Sequence, residues 1–205
     1  MTCDPSARLL GTTPGLDEQH YAHDGLITKH AVRAVVLAAL RPLPGQLLWD
    51  LGTGAGSVAV EWCRTDPSCR AVGVEQKPER AERARLNARN LTLPGQVEVR
   101  LADSQEALAG LPAPDAVFIG GGVDEPLVGD IIDALPENGR LVATAVTLEA
   151  ELILGGCHLH HGGELSRISV ENADRIGPLH GWQPARTITV WSWTKTSRSL
   201  PADSQ

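Results

Sequence analysis

The sequence has only four cysteines, Cys3, Cys63, Cys69 and Cys157, and no two of them form a C-x-x-C pair. That excludes a zinc ribbon and a thioredoxin-type redox motif. Scattered thiols of this kind read as reduced side chains of a cytoplasmic protein. A basic excess is also missing: 18 Lys and Arg face 25 Asp and Glu, for a net charge of -7. A protein that grips nucleic acid through a broad positive surface is thereby disfavoured, so no nucleic-acid partner is expected. A local arginine cluster for an anionic small molecule remains compatible with the charge. No run approaches about 20 uninterrupted apolar residues, so no membrane span is expected. The opening Met1-Thr2-Cys3-Asp4-Pro5 has neither the basic nor the apolar region of a secretory leader, and none is expected. Internal repeats and low-complexity tracts are absent.

What is present is 205 residues, 42% hydrophobic and 21% charged. That is enough for one folded domain that needs no disulfide or metal to hold it. Residues 1–25 hold Pro5, Gly11, Pro14 and Gly15 without periodicity and read as an irregular arm. Residues 196–205 are polar and read as a frayed tail, leaving 26–195 as the domain. Within it, short apolar runs bounded by Gly, Pro or Asp predict strands at 46–51, 70–75, 97–101, 115–119 and 140–145. Helical patterns alternate with them. One covers 28–40, with apolar Ala31, Val32, Val35, Val36 and Ala39, and another covers 57–64. A third runs over 78–90 with Pro at its first position, and a fourth over 147–154 behind a Thr cap. Such alternation implies a parallel sheet covered by helices on both faces. Two late strands, 164–170 and 187–194, have no helix between them and predict an antiparallel edge.

The segment Asp50-Leu51-Gly52-Thr53-Gly54-Ala55-Gly56-Ser57 carries the most chemistry. It leaves the first strand and opens a helix, the place where an open parallel sheet binds ligands. Its glycines allow a tight turn and close approach of a ligand to the main chain. The spacing is G-x-G-x-G, not the G-x-G-x-x-G of dinucleotide binders, because Ser57 stands at the third position after Gly54. A dianionic pyrophosphate is disfavoured beside Asp50, whereas a cofactor with a cationic amino group is favoured. S-adenosyl-L-methionine has that group and no phosphate. Glu75 ends the second strand, where a carboxylate accepts both ribose hydroxyls. Asp103 and Ser104 follow the third strand, placed for the adenine amino group, although Asp-Ser is also an ordinary helix cap.

Together these three loops resemble the class I S-adenosylmethionine-dependent methyltransferase fold. The resemblance implies a Rossmann-like α/β three-layer sandwich with a seven-stranded, mostly parallel sheet whose last strand is antiparallel. Gly25-Leu26-Ile27-Thr28-Lys29, residues 49–61, Phe118-Ile119-Gly120-Gly121-Gly122 and residues 143–149 narrow it further. They resemble the cobalamin-pathway enzymes that methylate a precorrin at C15 and decarboxylate its C12 acetate. That family occurs alone or as the C-terminal half of a bifunctional enzyme that also methylates C5. Its members imply a homotetramer. Carried over by motif, Thr28, Gly52, Thr53, Gly54, Ala55, Gly56, Glu75 and Ser104 contact the cofactor; Asp50 and Asp103 join them on chemical grounds. The fourth-strand loop lacks the N-P-P-Y or D-P-P-Y tetrapeptide of amino-directed nucleic-acid methylases. A class I methyltransferase for RNA, protein or another small molecule is the alternative. A binding module without activity is the other, disfavoured by the intact Asp50, Gly52, Gly54 and Glu75.

A precorrin carries many carboxylates, so its binding mouth should hold cations. Candidates are Lys29, His30 and Arg33 on the first helix, and Arg167, Arg175 and Arg186 around the late strands, because a guanidinium fork matches a carboxylate. Gly120, Gly121 and Gly122 leave room for a flat ligand and offer backbone N–H groups. Methyl transfer itself asks mainly for alignment, and the sequence assigns no catalytic residue. Decarboxylation needs a proton donor, for which His23, His30 and His180 are candidates. His158, His160 and His161 lack carboxylate or cysteine partners at ligand spacing, so no metal is expected. Trp182, Trp191 and Trp193 read as core or interface packing.

Overall fold

The computed structural model describes residues 10–196. The proposed tail beyond Thr196 and the first nine residues, Cys3 included, lie outside them. Among the described residues, five strands alternate with helices: β1 Leu47–Leu51, α2 Ser57–Thr65, β2 Arg70–Glu75, α3 Pro78–Leu91, β3 Val97–Leu101, α4 Ser104–Ala107, β4 Ala116–Ile119, α5 Glu125–Ala134, β5 Arg140–Ala145 and α6 Leu148–His161, after a first helix α1 His30–Leu40. Strands β6 Glu164–Ile168, β7 Glu171–Ile176, β8 Leu179–Pro184 and β9 Ile188–Thr194 follow without a helix. Seven strands form one sheet in the order β3-β2-β1-β4-β5-β9-β6. Neighbours from β3 to β5 are parallel, while β9 runs antiparallel to both β5 and β6. The sequence-based fold class is therefore the observed one.

Period-two alternation splits the core between the two faces. Leu48, Ala116, Phe118 and Val142 meet α1 and α2 through Val32, Val36, Val58 and Trp62. Trp49, Leu51, Val117, Ile119 and Leu141 meet α5 and α6 through Leu127, Ile131 and Leu154. The α1 stripe is offset from the predicted one: Val36, Leu37 and Leu40 are buried, whereas Val35 is exposed. Strand order reverses between β1 and β4, which opens a crevice at their carboxyl ends.

Two expectations need correction. The last helix does not end at residue 154, because α6 continues to His161 through Gly155 and Gly156. Buried Cys157 and indole N–H bonds from Trp191 to the Gly162 carbonyl and from Trp193 to the His161 carbonyl anchor its last turn. The connection between the late strands is itself a two-stranded hairpin, β7 with β8. Trp182 lies on that hairpin, 72% exposed, apart from the packed Trp191. The arm from residue 10 has no strand or α-helix up to residue 25 and packs on the domain. Tyr21, Leu10, Leu16 and Ile27 pack with Val60 and Leu91, and a short 3-10 turn at Glu18–His20 is capped by Asp17.

Candidate active site

The β1–α2 loop is built on three left-handed glycines, Gly52, Gly54 and Gly56, at φ +68°, +57° and +75°. Only glycine adopts this conformation without strain. At Gly52 a Cβ would also meet the Gly121 carbonyl oxygen at 2.9 Å, so the first and fourth loops touch backbone to backbone. At Gly56 it would meet Ala84 of α3 at 3.1 Å, which is what lets α2 and α3 close together. The Thr53 N–H donates to the Val74 carbonyl (3.0 Å) and its own carbonyl accepts from Gly56 N–H (2.8 Å). Asn87 of α3 reaches the same turn, its Nδ2 donating to the Ala55 carbonyl at 2.7 Å.

Asp50 lies beneath this loop. It alternates with Trp49 and so faces the start of α2, whose N-cap, Gly56, has no side chain to offer. Asp50 takes over that role. One carboxylate oxygen accepts from the Thr53 hydroxyl (2.6 Å) and from Ala59 N–H (3.0 Å). The other, Oδ1, is buried with no partner among the described residues. Burial raises the carboxyl from its ordinary 3.8 to about 6, against the lowering by Thr53 and Ala59. An unmet anionic oxygen at the helix start is a feature that a cationic ligand group would satisfy.

Glu75 closes the next strand, also buried. Its carboxylate accepts from Gly54 N–H (3.0 Å) and Lys77 N–H (2.9 Å), and so links the glycine loop to the turn after β2. Asp103 caps α4, accepting from Gln105 and Glu106 N–H at 2.8 and 3.3 Å. Ser104 opens that helix. Asp50, Glu75 and Asp103 thus stand at the ends of the adjacent strands β1, β2 and β3.

Residues 25–29 cover the loop, with the Leu26 carbonyl 3.9 Å from where a Gly54 Cβ would stand. A buried network holds them there. Arg33, fully buried, donates to Glu61 and to the carbonyls of Leu16 and Thr28. Glu61 also accepts from the Tyr21 hydroxyl (3.1 Å) and the N–H groups of Gly15 (2.5 Å) and Leu16 (3.1 Å). Burial, with Glu61 beside it, pushes the Tyr21 hydroxyl far above its ordinary value. Asn87 binds both backbone groups of Ala22. Asp24 pairs with Arg80 and Arg83 of α3; the Leu26 N–H and Arg80 hold its carboxyl down to about 2.

The expected substrate cations fare differently from one another. Arg33 does not reach the mouth, because its guanidinium is consumed inside. Lys29 and His30 lie exposed at the start of α1. Arg167 is paired with Glu151 at 2.6 Å on β6, three strand positions from β4 or about 14 Å away. Arg175 sits on the outer hairpin across from His180, and Arg186 is exposed before β9. Gly121 and Gly122 are exposed beside the crevice, but the Gly120 N–H is taken by the Leu51 carbonyl at 2.9 Å and offers nothing to a ligand. Among the described residues no three His, Cys, Asp or Glu side chains converge as a metal site.

Sequence reasoning missed Glu61, Asn87 and Tyr21. A signal existed for two of them. Glu61 falls among the apolar positions of α2, and Asn87 interrupts an Ala-rich helix where it has poor intrinsic preference. Tyr21 carried no comparable mark.

Residues 19–195 match the family described as precorrin methyltransferase domain. Over 196 residues the chain is 47% identical to the precorrin-6Y C(5,15)-methyltransferase (decarboxylating) of Sinorhizobium sp, covering 95% of this chain and 47% of that protein. The chain thus spans about half the length of such relatives. A probable cobalt-precorrin-6B C(15)-methyltransferase (decarboxylating) of Pyrobaculum calidifontis is 34% identical, with 88% of this chain and 97% of that one covered. The crystal structure of the C-terminal domain of precorrin-6Y C5,15-methyltransferase from Rhodobacter capsulatus superposes with a TM-score of 0.86 at 41% identity, covering 91% and 100% of the two chains. With its glycine loop, its crevice and these likenesses together, the chain belongs to the precorrin methyltransferase domain family.

Proposed function

We propose that the chain binds S-adenosyl-L-methionine, methylates a precorrin at C15 and removes the C12 acetate carboxylate as carbon dioxide, a step of cobalamin biosynthesis. The observation that carries the cofactor half is the unpartnered buried oxygen of Asp50 under a glycine cradle, with Glu75 at the next strand end. Bound there, the cofactor supplies an electrophilic methyl on a sulfonium. Asp50 answers its ammonium, Glu75 its ribose hydroxyls, and Asp103 with Ser104 its adenine edge. Gly52, Thr53, Gly54, Ala55 and Gly56 form the floor, and Thr28 the near wall. Catalysis of the transfer is then alignment of methyl and acceptor carbon.

The substrate half rests on the named relatives. Lys29, His30, Gly121, Gly122 and the more distant Arg167, Arg175 and Arg186 serve its carboxylates. A homotetramer and a cytoplasmic setting belong to the same proposal. Relatives of twice this length and of equal length support a C5-methylating domain that is fused in some and separate in others. No helix among the described residues is long and apolar enough to cross a membrane.

Mass measurement of a precorrin incubated with the protein and S-adenosyl-L-methionine tests this reading. The expected product has gained one methyl and lost carbon dioxide; a product with neither change contradicts it. Glu75→Ala should weaken S-adenosylhomocysteine binding by about 1–3 kcal/mol through lost ribose bonds to a charged group. Calorimetry checks this, and unchanged affinity removes Glu75 from the cofactor site.

A further inference from the structure

We propose that His30, held by the arm residue Glu18, returns the proton to the carbon that loses carbon dioxide. This rests on the function proposed above and supplies the proton donor it lacks.

The fold puts His30 at the right edge. The C-terminus of α1 lies at the amino ends of the strands, because Arg140, which opens β5, donates to the Leu40 carbonyl at 2.9 Å. An 11-residue helix is about 16 Å long, so its first residue stands at the carboxyl edge of the sheet, beside the segment that covers Gly54. The His30 side chain is 52% exposed there.

Glu18 fixes the ring. One carboxylate oxygen accepts from the His30 backbone N–H (2.5 Å) and lies 3.2 Å from Nδ1. A carboxylate only accepts, so the proton belongs on Nδ1 and Nε2 is left to take and give a proton. Glu18 is itself delivered by the docked arm, whose neighbouring residues Gly15, Leu16 and Tyr21 are bound by Glu61.

The other histidines lack this combination. His158, His160 and His161 end α6, at the amino edge of the sheet where β6 begins. His23 Nδ1 accepts from Gly25 N–H at 2.9 Å, which bars a proton from that nitrogen. His180 lies on the outer hairpin opposite Arg175. No carboxylate bonds the His20 ring among the described residues.

The proton accounting closes on one group. Replacing the hydrogen at C15 by methyl releases one proton, which Nε2 takes up. In decarboxylation the bond between the acetate methylene and its carboxylate breaks and carbon dioxide departs. The electron pair passes into the conjugated ring and returns to that methylene as a new C–H bond, made with the proton from Nε2. No oxidant, reductant or further proton is required.

The test compares products of the wild type and His30→Gln by mass, with S-adenosylhomocysteine titration confirming that each binds cofactor. The expected result is that the share of methylated product still carrying the carboxylate rises at least tenfold in His30→Gln and falls again when imidazole is added. For Glu18→Ala the same share rises, and 15N spectra show the His30 ring losing its Nδ1–H tautomer. A wild-type product ratio in His30→Gln, or an equal fall of both mass changes that added imidazole does not restore, overturns the assignment. An unmoved tautomer in Glu18→Ala overturns the positioning role of Glu18. If wild type shows neither mass change, the failure lies with the proposed function itself.

Discussion

Glu61→Ala is expected to destabilise the protein by about 3–5 kcal/mol, the loss typical of removing one partner from a buried ion pair. Arg33 has no exposed surface, so in the variant its charge would remain inside with only carbonyl partners. The Tyr21 hydroxyl and the N–H groups of Gly15 and Leu16 lose their acceptor in the same substitution. For a chain of this size the melting temperature should fall by roughly 6–20 °C, measured by calorimetry. The loss should also reach the site, because Arg33 holds the Thr28 carbonyl and the arm carries Glu18 and leads into Leu26. A change below about 1 kcal/mol would mean that the arm is not held through this pair. Glu61→Gln, which keeps one acceptor and most of the packing, should lose less.

Asp50→Asn should separate stability from binding. The folded-state pKa of about 6 lies above the ordinary 3.8. The native state therefore binds more protons than the unfolded chain between about pH 4 and pH 6, and stability falls as pH rises through that window. Above it the ionised carboxylate costs about 3 kcal/mol, at 1.36 kcal/mol per unit. Asparagine keeps an acceptor for the Thr53 hydroxyl and Ala59 N–H but carries no charge. At neutral pH the ligand-free variant should be at least as stable as wild type, with a melting temperature up to roughly 10 °C higher. Its affinity for S-adenosylhomocysteine should nevertheless fall about 10- to 100-fold, the worth of a hydrogen bond between charged groups. A buried, imperfectly partnered carboxylate is then kept for its ligand at the expense of stability. A variant that melts lower and binds equally well would assign Asp50 to the fold alone.

Most of the parallel core was legible because β1, β2, β4 and β5 are short, mostly apolar runs buried on both faces. The glycine loop was legible for a related reason: positive φ leaves a mark in sequence. The outer hairpin was not, since β7 (ENADRI) is exposed along its whole length and shows no alternation; only Gly177-Pro178 marks its turn. Helix α6 overruns its expected end because tertiary contacts at Cys157 and the two indoles outweigh the low helix preference of Gly155 and Gly156. The docking of the arm left no mark of its own. Its Gly15 and Leu16 look like loop residues, and what docks them is the side chain of Glu61 some 45 positions later. In the site, the strand-end positions of Asp50, Glu75 and Asp103 were legible. Hydrogen-bond partners were not legible: Asp50 spends one oxygen on the loop it supports, Gly120 spends its N–H on Leu51, and Arg33 turns inward.

The proposed site requires the ammonium group of an adenosyl ligand to meet the Asp50 carboxylate. Calorimetric titration of the wild type with S-adenosylhomocysteine at pH 7.5 and pH 5 tests it directly. With a folded-state pKa of about 6, roughly one molecule in ten has Asp50 ionised at pH 5, so affinity should be about tenfold weaker there. NAD should not compete at either pH. Equal affinity at both pH values would contradict the role of Asp50, and tight binding of NAD without binding of the adenosyl compound would contradict the site as a whole.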